Sequence, residues 1–136
     1  MAGMLGQSNK FQRLAPGVPS LGGGVGGIMA SMSRLDKLLR ILTVEPGDAF
    51  TLYGVAQEYA KRGEAGDAVR AVEFYDKCIA ADPGYCYAYY HKGKVQADEG
   101  LTEAAAATIK LGIVEARKAG DGKALGELTA LLDSIT

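Results

Sequence analysis

The 136-residue sequence is poor in the residues that build reaction centres: it holds one histidine, His91, and two cysteines, Cys78 and Cys86. A structural zinc needs about four nitrogen or sulfur ligands in close pairs. Two cysteines eight apart with one histidine nearby do not supply them. Catalysis at a histidine usually requires a second group to orient the ring, and His91 lies between Tyr90 and Lys92 with no evident carboxylate to do so. No GxxxxGK[ST] phosphate loop occurs; the glycine run at 22–27 lacks both the preceding strand and the following lysine. No window approaches the ~20 apolar residues of a membrane span. With 15 basic and 16 acidic residues the net charge is −1, too small a field to draw nucleic acid or an anionic membrane. These shortages predict no catalytic residue, no metal, no cofactor, no nucleic-acid or membrane partner, and two reduced thiols in a cytoplasmic protein.

Acids are also missing from the first 35 residues, which carry Lys10, Arg13 and Arg34 and leave the remainder at −4, from 12 basic against 16 acidic residues. Residues 1–32 are glycine-rich, with apolar residues that follow neither a helical nor a strand period, so ordering them would bury little. They are expected to be a disordered N-terminal arm, native or vector-derived, with Met29 and Met32 as possible internal starts.

From Ser33 the texture changes. Leu35, Leu38, Leu39 and Leu42 fall at i, i+3, i+4 and i+7, the stripe of an amphipathic helix that ends at Pro46-Gly47. The pattern continues with a helix from about Asp48 to Arg62, closed by Gly63. A third opens at Gly66-Asp67, carries Val72, Tyr75 and Ile79, and stops at Asp82-Pro83-Gly84. A fourth runs from about Tyr85 to Glu99. A fifth is capped by Thr102 and reaches about Ala119, and a last one follows Gly120-Asp121-Gly122 through Asp133. Six helices with short turns and no strand predict an all-α chain of antiparallel neighbours. Asp67, Glu73, Asp76, Glu99 and Glu103 read as solvated helix faces.

Self-comparison shows a repeat. Pro46-Gly47 recurs as Pro83-Gly84 and Gly63 as Gly100, each 37 residues on, whereas Ala71 recurs as Ala105 and Cys78 as Gly112, each 34 on. One 34-residue unit explains both intervals if its first copy carries three extra residues between Gly63 and Ala71, an expansion that costs little. The small residues Ala56, Gly93, Ala71, Ala105, Cys78 and Gly112 would let paired helices approach closely, while Leu52, Tyr59, Tyr75, Tyr89 and Ile109 fill the space between pairs.

A helix–turn–helix unit of this length ending in Asp82-Pro83 resembles the tetratricopeptide repeat, and the chain is similar to small, free-standing bacterial proteins of that family. Lys92 and Gln96 stand where the family usually has apolar and aromatic residues, and no proline follows the second copy. The resemblance implies a right-handed superhelix of antiparallel hairpins over 33–136, with units at about 49–82 and 86–119, flanking helices at 33–43 and 122–134, and the last helix as a cap. It also implies a protein- or peptide-binding scaffold whose concave side is lined by the first helix of each unit. That places Phe50, Tyr53, Gln57 and Lys61 from the first unit, and Tyr87, Tyr90, His91, Lys94 and Asp98 from the second, in a ligand-binding groove. Tyr87 and Tyr90 share a face at i,i+3 and offer apolar area with a polar tip. Members that grip a chaperone's C-terminal carboxylate use lysine and asparagine where this chain has Tyr53 and Gln57, so that mode is not expected. The alternative is a structural module that self-associates into a homo-oligomer.

Overall fold

Hydrophobic residues spaced for helices, punctuated by glycine and Asp-Pro, produce six helices in the computed structural model, which describes residues 32–136: α1 (Arg34–Val44), α2 (Ala49–Arg62), α3 (Asp67–Ala81), α4 (Cys86–Asp98), α5 (Thr102–Ala119) and α6 (Gly122–Ile135). No strand occurs among the described residues. The expected N-terminal arm lies outside them, apart from Met32.

The stops and starts have local causes. The carboxylate of Asp48 caps α2 by accepting from the Thr51 backbone N–H at 3.0 Å, and Asp121 caps α6 through the Ala124 N–H at 3.0 Å, each satisfying an N–H that the first helical turn leaves open. Gly63 ends α2 in the left-handed region at φ 67°, which a side chain would strain. Thr102 departs from expectation: it is the first residue of α5, and the capping position falls to Leu101, which makes no side-chain cap bond.

Each helix packs on the next, most extensively within the hairpins α2–α3 and α4–α5, and the first helices α2 and α4 also touch. Connections this short oblige neighbours to run antiparallel. The core follows the stack in three clusters. Leu35, Leu38 and Val55 join α1 to α2; Leu52, Ala56, Ala71, Tyr75, Cys78 and Ala88 fill the middle; Cys86, Tyr89, Ile109, Ile113, Ala116, Ala124 and Leu128 close the far end under α6. A core strung along one axis is the packing of a helical-repeat solenoid.

The crossings are made by small residues. Ala56, Ala71, Cys78 and Ala105 are fully enclosed. A Cβ placed on Gly93 would lie 2.6 Å from Ile109 Cγ1, and one on Gly112 would lie 2.6 Å from Tyr89 Cβ and 3.0 Å from Leu128 Cδ2, so both glycines are spacers. Along α3 the innermost apolar residues are Ala71, Tyr75 and Cys78, with Val72 and Ile79 half-buried beside them. The two departures from the family pattern are polar pairs. Lys92 Nζ meets Asp76 Oδ1 on α3 at 2.6 Å, and buried Thr108 on α5 donates its hydroxyl to Gln96 Oε1 at 2.7 Å. A polar group at a packed position is tolerated when it is hydrogen-bonded.

Asp67 corrects the sequence reading. It is 0% exposed and accepts from Arg62 Nε at 2.8 Å, Arg62 Nη2 at 3.0 Å and the Glu64 N–H at 3.0 Å, with Arg70 Nη1 at 3.4 Å. The hydrogen bonds from Arg62 hold its carboxyl down at about 2. The guanidinium groups of Arg62 and Arg70 also lie over the Tyr59 ring, 5.5 and 5.9 Å from its centroid. This network fixes the α2–α3 turn. A helix-opening acid reads in sequence as a solvated first-turn charge, and only the fold shows Arg62 returning across the turn to it.

Candidate functional site

The first helices α2 and α4 lie side by side with α3 behind them, and their facing surfaces leave a cavity of about 610 Å³. One wall is Gln57, Ala60 and Lys61 of α2 with the turn Gly63–Gly66 and Ala68. The other is His91, Lys94, Val95 and Asp98 of α4 with Glu99. Tyr75 of α3 forms part of the lining, and Glu58 and Glu64 complete it. The volume is within the roughly 300–1,000 Å³ of pockets that take ligands. The Asp67 network positions the turn that makes one wall, because Asp67 binds the Glu64 N–H directly.

Of the nine groove residues expected from the sequence, five line this cavity: Gln57, Lys61, His91, Lys94 and Asp98. The other four do not. Phe50 is 69% exposed at the start of α2. Tyr53 is half-buried deeper between the helices, with its ring centroid 4.9 Å from Tyr85, 5.7 Å from His91 and 6.0 Å from Tyr75. Its hydroxyl oxygen accepts from Gln57 Nε2 at 3.1 Å, which orients the Gln57 amide along the wall. Tyr87 and Tyr90 contact each other edge to face at 6.2 Å and pack on the cluster that α6 closes. Both rings lie against that far cluster and outside the cavity lining, and Tyr87 also interacts with Glu127 of the last helix.

Tyr75 was legible only as a core residue. It is 1% exposed and yet lines the cavity, and its ring stacks on His91 at 6.4 Å with planes 15° apart. The aromatic run Tyr53–Tyr75–His91–Tyr90 therefore forms a continuous seam between the repeats.

The groups here are set for recognition more than for proton transfer. Burial, assisted by Lys94, pushes the His91 imidazole below its usual range, so it is neutral at pH 7. Burial raises the Tyr53 phenol to about 12. Both thiols are buried and unbridged, in different core clusters, and burial lifts Cys78 to about 11, which makes it a poor nucleophile. Among the described residues no group of three His, Cys, Asp or Glu side chains gathers to hold a metal, and no helix is long and apolar enough to cross a membrane.

Helical hairpins stacked in series, with small residues at the crossings and an open face on the first helices, define an α-solenoid of the helical-repeat class. No family model matches the chain. Individual proteins do. The solution structure of a tetratricopeptide repeat domain protein from Salinibacter ruber is 36% identical with a TM-score of 0.60, covering 66% of this chain and 88% of that one. The Bordetella parapertussis protein BPP2914 is 19% identical with a TM-score of 0.65 over 76% of this chain and 88% of its own, a likeness of fold. In sequence, a TPR repeat-containing protein of Pseudomonas aeruginosa is 29% identical over 101 residues, which is 74% of this chain and 93% of the relative. The chain belongs to the tetratricopeptide-repeat family.

Proposed function

We propose that the chain is a non-catalytic adaptor that takes a segment of a protein partner into the groove between α2 and α4. The cavity carries this reading: it lies on the face that the stacked first helices leave open, its walls are preformed, and no core side chain fills it. Its lining offers apolar patches at Ala60, Ala68, Val95 and Tyr75 and polar contacts at Gln57, His91, Lys61 and Lys94. A few polar groups set among apolar ones orient a ligand while burial supplies affinity. The test is selection of short peptides from a displayed random library, followed by binding to wild type and to Ala68→Trp, whose ring would occupy the cavity. Peptides that bind wild type and lose affinity for Ala68→Trp support the groove; peptides indifferent to that substitution refute it.

A second reading rests on the outer side of α5. Ala104, Ala107, Leu111 and Val114 form an exposed stripe, with Leu111 60% and Val114 47% exposed. A stripe of this kind is an association surface if it has a partner. Self-association through it predicts that sedimentation shows a concentration-dependent dimer that Leu111→Lys abolishes; a monomer at every concentration removes the reading.

A further inference from the structure

The two walls of the groove differ in how their charges are committed. On the α2 side, Lys61 Nζ lies 3.4 Å from Glu58, which also binds Arg34 at 3.1 Å, and Glu64 faces Arg62 at 3.6 Å. On the α4 side, Asp98 is the last helical residue and Glu99 follows it, both exposed and lining the cavity. Neither has an ion-pair partner among the described residues.

This placement is unfavourable for the helix. A C-terminal helix end carries partial negative charge and favours cations. α2 and α5 carry basic residues in their last turns, Lys61 and Arg62 and then Arg117 and Lys118, whereas α4, like α1, α3 and α6, carries none. Two carboxylates and a helix end of the same sign thus converge at one mouth of the cavity. Among the described residues, the lining cation without an ion pair is Lys94, on the same helix one turn before Asp98. The lining residues alone sum to a formal −2, but Arg34 and Arg62 pair with Glu58 and Glu64 from outside it, so the uncommitted charge is that of Asp98 and Glu99 against Lys94. What sets the end of α4 apart is that its carboxylates line a cavity, where a cation from a partner complements them.

We propose that the groove selects a partner segment carrying a lysine or arginine, whose cationic head sits at Asp98 and Glu99 while an adjacent apolar residue covers Ala60, Ala68 and Val95. This rests on the adaptor reading and adds the partner's charge to it. The α4 mouth holds the head through charge-assisted hydrogen bonds, and the aliphatic stem of the lysine or arginine runs along the apolar lining.

The experiment uses the full chain and the displayed library described above, with three variants. Asp98 and Glu99 are exposed and make no ion pair among the described residues, so the reversal Asp98→Lys/Glu99→Lys is expected to preserve the fold, checked by circular dichroism and melting temperature. Peptides selected by wild type are expected to be enriched in lysine and arginine, to bind the double reversal at least roughly tenfold more weakly, and to bind Lys94→Glu more tightly. Selected peptides that are acidic or neutral, or that bind the double reversal unchanged while Ala68→Trp abolishes binding, overturn the charge assignment and leave the adaptor standing. Absence of any peptide sensitive to Ala68→Trp overturns both.

Discussion

Replacing Gly112 by alanine tests the packing on which the groove depends. In an exposed helix a glycine-to-alanine change is stabilising by about 1 kcal/mol, because alanine restricts the unfolded chain and suits the helix. Gly126 of α6 has open space around its Cβ position and should show that gain. At Gly112 the added carbon would sit 2.6 Å from Tyr89 Cβ. That atom is bonded to the α4 backbone and cannot rotate away, so the α4–α5 hairpin must spread. Overpacking of this kind costs about 1–3 kcal/mol. Both variants share the intrinsic gain, so the difference between them isolates the contact. Gly112→Ala should fall below Gly126→Ala by about 1–3 kcal/mol, which for a domain near 100 residues separates their melting temperatures by at least about 5 °C. Thermal and urea melts followed by circular dichroism measure it. If Gly112→Ala melts at or above Gly126→Ala, the helices are not in the close register described here.

Further outcomes are expected elsewhere. Asp67 is held at about 2, below its ordinary 3.8, so its stabilisation is complete above pH 4 and lost as pH falls towards 2; Asp67→Asn should lower the urea midpoint at pH 7, with the gap to wild type closing at pH 2, and a constant gap would contradict the Arg62 pairing. Thr108→Val removes the hydroxyl that Gln96 accepts from and should cost about 0.5–1.5 kcal/mol, part of which Gln96→Leu restores in the double variant; simple additivity would show that the two do not interact. The folded state holds His91 below 6.5, so the unfolded chain binds more protons and stability declines as pH drops through and below that value; His91→Gln should lack this decline, and an equal decline in both proteins would assign it to another group.

The stack was legible because its determinants are local and periodic. Ala71 and Ala105 sit at the same place in successive units, and both prove fully enclosed. The three extra residues of the first unit are less tidy than one loop expansion: α2 has 14 residues to the 13 of α4, its following turn is one residue longer, and Ala71 comes one residue later in its helix. The cavity was half legible. Gln57, Lys61, His91, Lys94 and Asp98 follow from which face of the first helices the repeat leaves open. Tyr87 and Tyr90 do not, because they pack on the far core cluster that α6 completes, and Asp67 does not, because its partners approach across a turn. Helical period says which residues share a face; it does not say which neighbour covers that face.

The most direct test of the central claim is a backbone amide NMR titration of the full chain with a lysine-containing peptide from the library. The account predicts shifts concentrated at Gln57, Lys61, Ala68, Lys94, Val95, Asp98 and Glu99, lost in Asp98→Lys/Glu99→Lys. Shifts centred instead on Leu111 and Val114 of α5, with the α2–α4 face unmoved, would contradict it.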